Sequence, residues 1–245
     1  MGGAGSGRVE ADEREELAPV EERFDDHVGW AYRYGMVWNW EVFRCELHAA
    51  VMIVCGLDGS DVDPADLPAV QQLGERHREL EFALEQARLV ASPTRDWPSY
   101  YRALWEHTAR AGLIGVRPDA PAPLGLVSHD QEPPGIPARM IMWMLRTGFQ
   151  RAMAEVYRDA PIEDWHMLGP ILQRELTGTW ALETRWAHHT ADEHRDLVAT
   201  RQQQLQALLA TAQQHFDPAT DWEAFREYLW LHRYTLESGR PAPTW

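Results

Sequence analysis

Apolar residues recur at steps of three and four along most of this chain, and no stretch alternates apolar and polar residues. Steps of three and four place side chains on one face of an α-helix, whereas a half-buried strand needs a period of two. The sequence therefore predicts an all-α fold. The predicted helices cover residues 20–55, about 66–91, about 94–111, 137 to about 160, 162 until Gly169-Pro170 interrupts, 171–216 and 222–238.

The length of 245 residues is enough for one large domain with its own core. We predict a single helical domain over residues 21–238, because the helices on either side of the proline-rich stretch need each other's apolar faces. Residues 1–20 are rich in Gly and Glu and are predicted to form a disordered tail, and residues 239–245 a C-terminal tail. The stretch 113–136 reads as one long loop, and a loop of that length is often functional, such as a lid, or else disordered.

The formal net charge of −15 excludes a nucleic-acid or anionic-membrane partner, since both require a basic surface. No apolar run approaches the ~18 residues of a membrane span, and the N-terminus lacks the apolar region of a secretory signal. Cys45 and Cys55 stand in apolar surroundings at a spacing that fits neither a disulfide framework nor a zinc site. We therefore predict that both thiols are free and buried in a reducing compartment, and we expect a cytoplasmic protein.

The segment Glu175–Arg195 (ELTGTWALETRWAHHTADEHR) concentrates histidine and tryptophan in one predicted helix. Histidine is the commonest metal ligand, and its neutral imidazole binds both heme iron and non-heme iron. Tryptophan adds a flat apolar wall for a ligand. The segment therefore predicts a metal or heme site, with His188 and His189 as the candidate ligands, although a surface histidine of a polar helix with no function is the simpler alternative for each.

One interpretation of these histidines is a carboxylate-bridged di-iron site. Glu41 and His48 stand seven residues apart, and His188 and Asp192 stand one helical turn apart. The pattern resembles part of the heme-oxygenase-like di-iron oxidases, whose last ligand helix carries His-x3-Asp-x2-His. Here Arg195 occupies the position of the final histidine. This resemblance implies two non-heme iron ions held by Glu41, His48, His188 and Asp192.

A second resemblance begins at residues 89–94 (LVASPT) and continues at residues 101–104 (YRAL). These words are similar to the middle of tryptophan 2,3-dioxygenases, where a helix ends in Val-Leu-x-Thr-Met-Thr-Pro and a later segment ends in Phe-Arg-x-x-Leu. The arginine of that segment holds the substrate carboxylate in the family, so the resemblance implies that role for Arg102. An arginine suits it, because its planar fork binds a carboxylate with two hydrogen bonds.

Two further stretches extend the resemblance to about half of the chain, in the same order. Residues 39–49 (NWEVFRCELHA) resemble the family's first core helix. Residues 183–195 (ETRWAHHTADEHR) resemble the helix that carries the proximal heme ligand, Trp-Arg-x-Arg-His with an arginine six residues later. The match implies His189 as the heme ligand, with His188 as the alternative one residue away.

The sequence departs from the dioxygenases in two places. The position of their distal histidine falls near Met36 or Val37, and their Gly-Thr-Gly-Gly loop has no counterpart after Arg195. The resemblance therefore implies a member of the wider group of histidine-ligated heme-dependent aromatic oxygenases. It also implies a helical bundle with a heme pocket between helices.

The function predicted from sequence is thus a cytoplasmic heme-dependent oxygenase for an aromatic amino acid or related small molecule, in specialised metabolism. His189 would bind the iron, Arg102 would hold the substrate carboxylate, and Trp38 and Tyr101 would form part of the pocket wall. The alternatives are the non-heme di-iron oxygenase and a non-catalytic helical binding protein whose tryptophans are only core. The sequence leaves the oxidant, the substrate and homo-oligomer formation open.

Overall fold

The computed structural model describes residues 20–116, 122, 138–180 and 191–238, and all regular structure in these ranges is helical. The prediction of an all-α fold is confirmed. The helices are α1 (Val20–Tyr34), α2 (Trp40–Val54), α3 (Leu67–Val90), α4 (Trp97–Arg110), α5 (Ala138–Asp159), α6 (Trp165–Thr179), α7 (Ala191–His215) and α8 (Trp222–Ser238).

Aspartate side chains begin two of these helices. The side chain of Asp96 accepts a hydrogen bond from the Ser99 amide at 3.2 Å, and that of Asp164 accepts from the His166 amide at 3.0 Å. Each carboxylate satisfies an amide that has no partner inside the helix and also favours the positive end of the helix dipole. The sequence predicted a start at about residue 94, and the structure has the N-cap at Asp96.

The prediction of one continuous helix over 20–55 is wrong, because the chain turns at residues 35–39 between α1 and α2. The turn is stabilised from a distance by Glu46, whose side chain is 7% exposed and accepts a hydrogen bond from the Met36 amide at 2.7 Å. Asn39 then caps α2. Asn39 is thus the local start signal for α2, whereas the turn before it depends on the distant Glu46.

The prediction that Gly169-Pro170 interrupts a helix is also wrong, since α6 continues through Pro170. Proline removes one amide hydrogen bond from a helix interior. Leu168, Leu172 and Leu176 lie on one face of α6 and are fully buried. Their burial offsets the missing hydrogen bond, so residues 171–179 belong to α6 rather than to the helix that follows.

The chain divides into two compact units. Unit 1 comprises residues 1–55 and 83–132, and unit 2 comprises residues 56–82 and 133–245. The single helical domain of residues 21–238 stays a prediction. The predicted tails and most of the predicted loop over 113–136 lie outside the described residues.

Unit 1 has an aromatic core. The ring of Phe24 meets those of Tyr101 and Trp105 edge-on, with centroids 5.4 and 5.0 Å apart. Trp97 stacks on Tyr32 at 3.9 Å. These contacts join α1 to α4, and α1 also packs against α2. Aromatic pairs of this kind add stability beyond the area they bury.

Unit 2 packs α6 against α5 and α7, and α7 against α8. Its core combines leucines such as Leu205 and Leu229 with the rings of Phe149, Phe225 and Trp230, all 3% exposed or less. Among the described residues of the whole chain, no helix is both long and apolar enough to span a membrane. Of the two thiols predicted to be buried, that of Cys45 is buried and that of Cys55 is half-buried.

Candidate functional site

A buried ionic cluster lies in unit 2, where α3, α5 and α8 contribute His77, Arg146 and Glu227. All three side chains are 0% exposed. Arg146 donates from Nη2 to both carboxylate oxygens of Glu227 at 2.6 Å. The Nε2 atom of His77 lies 3.4 Å from Glu227 Oε2. Charged side chains are rarely buried unless they are paired, and here the pair lies away from solvent.

Arg226 extends this cluster towards the surface. Its Nε donates to Glu227 Oε1 at 3.2 Å, and its Nη1 lies 4.0 Å from Glu81 Oε1. Glu227 thus accepts from two guanidinium groups, while the side chain of Glu81 is 22% exposed. One buried carboxylate therefore holds both arginines in place.

His77 is neutral in this environment. Burial lowers its pKa well below the ordinary value of 6.5, and the positive charges of Arg146 and Arg226 lower the pKa further. The Nε2 atom lies 2.9 Å from the Leu57 carbonyl oxygen. Because a carbonyl oxygen only accepts, Nε2 must carry the hydrogen of the neutral ring. His77 therefore donates a hydrogen bond to the Leu57 carbonyl oxygen and adds no charge to the cluster.

Aromatic rings surround the guanidinium group of Arg146. Its Cζ lies 4.6 Å from the ring centroid of Trp230 and 5.7 Å from that of Phe149. Trp180 stacks nearly parallel on Phe149, with centroids 6.0 Å apart. Cation–π attraction holds an arginine against such rings, most strongly away from water. Burial also lowers the pKa of Arg146, and the carboxylate of Glu227 raises it again.

The cluster combines buried charges with aromatic rings. It offers an oriented cationic group, further hydrogen-bond donors and flat apolar surfaces in one buried place. Sites that bind flat small molecules are commonly apolar and aromatic, with a few polar groups that orient the ligand.

The predicted iron ligands His188 and His189 lie outside the described residues. The same holds for the side chain of Asp192, the di-iron candidate. Glu41 is exposed at the start of α2, and His48 is buried in the middle of that helix. In the described part of the chain, no three His, Cys, Asp or Glu side chains are grouped to hold a metal ion. The predicted ligand sets therefore stay predictions.

The predicted substrate-binding residues lie in unit 1, and they differ in how far they are exposed to solvent. Trp38 lies in the turn before α2 and is 78% exposed, so its predicted place in a pocket wall gains no support from burial.

Tyr101 and its neighbour Arg102 point to different environments. Tyr101 is 2% exposed and donates its hydroxyl hydrogen to Asp25. Burial, followed by the hydrogen bond and the charge of Asp25, raises the pKa of Tyr101. Arg102 is exposed on α4. Glu106, one helical turn further along α4, accepts from Arg110 at 3.1 Å. The carboxylate-binding role of Arg102 stays a prediction.

Sequence reasoning assigned no role to His77, Arg146 or Glu227. One signal was present, because Arg146 occupies an apolar register of its helix between Trp143 and Phe149, and Glu227 occupies one between Ala224 and Trp230. A charge in an apolar register predicts a buried pair, but nothing local indicates its partner.

No protein-family model, no curated protein and no solved structure matches this chain. The resemblance to heme-dependent aromatic oxygenases thus rests on the motifs quoted above.

Proposed function

We propose that this protein is a heme-dependent oxygenase that acts on an aromatic amino acid or a related small molecule. The observation that carries the proposal is the buried guanidinium group of Arg146 between the rings of Phe149 and Trp230. Trp180 stacks on the same ring of Phe149, and the histidine-rich segment with His189 follows it in the chain.

The described residues of unit 2 fit a heme group in part. Heme is flat and apolar with two carboxylates at one edge, so it requires aromatic walls and cationic partners. Trp180, Phe149 and Trp230 would supply the walls, and Arg146 a cationic partner. The Nε2 atom of His77 already meets the Leu57 carbonyl oxygen, so that nitrogen would not bind iron. The ligand would therefore be His189, as the resemblance implies, with His188 as the alternative.

When bound, heme supplies the oxidising power of the reaction. The protein's own residues would bind and orient the substrate, and such positioning can lower a barrier by about 7–11 kcal/mol at best. The rings of unit 2 would exclude water from the reacting groups, and donors such as the Arg146 guanidinium would hold an acidic group at a fixed distance.

The test is the ultraviolet–visible spectrum and total iron of protein purified from cells given iron and a heme precursor. We expect a stoichiometric Soret band that His189→Ala abolishes. His166→Ala is the matched control, because His166 is exposed on α6, and it should retain the band. Full heme loading in the His189→Ala and His188→Ala variants would refute the assignment.

Two other results would each select an alternative. Iron without a Soret band would favour the di-iron oxygenase with Glu41, His48, His188 and Asp192 as ligands. Neither iron nor a Soret band would favour a non-catalytic helical binding protein, and a ligand that stabilises the protein would then be sought by thermal denaturation.

A further inference from the structure

Of the buried side chains in unit 2 with nitrogen donors that find no acceptor in the described structure, three lie on α5 or directly after α6. They are Nε and Nη1 of Arg146, Nε2 of Gln150 and Nε1 of Trp180. The exposed fractions of these residues are 0%, 2% and 3%. A buried donor without an acceptor costs about 1–3 kcal/mol, and native structures contain few of them. Several together therefore need an explanation.

Two of the three residues contact the ring of Phe149, and the third follows Phe149 in the chain. Arg146, Phe149 and Gln150 occupy positions i, i+3 and i+4 of α5, which place them on one face of that helix. Trp180 follows α6 and stacks on the Phe149 ring at 13° between planes. The Cζ atom of Arg146 lies 5.7 Å from the same ring. Arg146 and Trp180 thus contact the same aromatic ring, and Gln150 is the next residue after Phe149 in α5.

Glu227 does not satisfy them. Its two oxygens accept from Nη2 of Arg146 and from Nε of Arg226, so the remaining nitrogens of Arg146 point to other directions. A guanidinium group has five hydrogens in a fixed plane, and one carboxylate cannot accept from all of them. A second acceptor is required on the other side of Arg146.

We propose that unit 2 contains a buried binding site for a carboxylate attached to a flat apolar body, formed by Arg146, Gln150 and Trp180. The unpartnered atoms are all donors, which selects an acceptor group, and the positive charge of Arg146 selects an anion. The rings of Phe149, Trp180 and Trp230 select a flat apolar body for that anion. Nothing in the sequence-based prediction assigns this role to any of the three residues.

Two molecules offer this chemistry: a free aromatic acid and heme, whose propionates are carboxylates on a flat ring system. The second source rests on the proposed function, whereas the first does not. The probes are therefore benzoate and heme, each titrated into the full-length protein purified without heme.

Two substitutions remove an unpartnered donor: Gln150→Met retains the approximate shape of the side chain, and Trp180→Phe retains an aromatic ring but is smaller. Gln150→Met and Trp180→Phe break no hydrogen bond of their amide or indole nitrogen, so neither should weaken folding through a lost bond. Each should weaken binding of the carboxylate about tenfold, as expected for one hydrogen bond to a charged group. Trp222→Phe is the matched control, because Trp222 is also buried in unit 2 and stacks on Phe225 instead.

Calorimetry with benzoate and a Soret titration with heme distinguish the two sources. Weaker benzoate binding in both variants, with heme binding unchanged, assigns the site to a free acid. Weaker heme binding in both variants, with no benzoate bound by the natural chain, assigns the site to a propionate. Benzoate binding in a chain that takes up no heme would refute the oxygenase and leave the site intact.

Three results would overturn the site. The first is a chain that binds neither probe. The second is binding reduced no more in Gln150→Met and Trp180→Phe than in Trp222→Phe. The third is equal affinity for benzoate and the uncharged benzamide, because the charge of Arg146 would then select nothing.

Discussion

Replacing Glu227 by glutamine tests whether the buried cluster holds unit 2 together. The substitution retains the shape of the side chain and removes its charge. It would weaken two contacts of 2.6 Å to Arg146 and one of 3.2 Å to Arg226, and it leaves Arg146, which is 0% exposed, without its counter-charge. Breaking one side of a buried pair costs about 3–5 kcal/mol, because the remaining charge stays buried.

Glu106→Gln is the control for this prediction. Glu106 pairs with Arg110 at 3.1 Å, but the two side chains are 41% and 56% exposed. An exposed pair contributes about 0–1 kcal/mol, because water screens the charges. The buried substitution should therefore lower the free energy of unfolding by at least about 2 kcal/mol more than the exposed one.

Urea denaturation followed by circular dichroism measures the difference. With a slope of about 3 kcal/mol per molar urea, a loss of 3–5 kcal/mol moves the midpoint by about 1–1.7 M. A double-mutant cycle with Arg146→Met should give a coupling energy of at least about 1 kcal/mol for residues in direct contact. If Glu227→Gln and Glu106→Gln were equally stable, the buried ion pair would not exist in solution.

Three further predictions concern single residues elsewhere in the molecule. Gly74→Ala should destabilise the protein by about 1–3 kcal/mol, because the added Cβ would lie 2.5 Å from the backbone nitrogen of Ala224. Gly148 has open space around it, so Gly148→Ala should stabilise the protein by up to ~1 kcal/mol. Equal thermal midpoints of the two variants would contradict this prediction. His77 is neutral in the folded protein and protonates only in the unfolded chain, because burial lowers its pKa. The free energy of unfolding should therefore be unaffected by His77 above pH 6.5 and should fall by up to about 1.4 kcal/mol per pH unit below pH 6.5. The same fall in the His77→Gln variant would refute this prediction. Tyr101→Phe removes the hydrogen bond to Asp25 and should lower the unfolding free energy by about 1–2 kcal/mol in urea; no change would show that the bond is absent in solution.

The sequence alone was sufficient for the fold class, because helix formation depends on local information. The three- and four-residue periodicity specified helices, and the end of α3 at Val90 and the caps at Asp96 and Asp164 agree with signals that lie within one turn of the helix ends. The candidate site of the sequence analysis was local in the same way: it followed from short motifs around Arg102 and His189.

Tertiary structure decided the features that depend on distant partners. Glu46 stabilises the turn at residues 35–39 by accepting from an amide ten positions earlier, and buried leucines allow α6 to continue through Pro170. Arg146 meets a carboxylate 81 positions away, which no periodicity can indicate. A charged residue in an apolar register shows that a partner is needed, but only the packing of helices determines which residue supplies it, because the energy of a buried charge depends on everything around it.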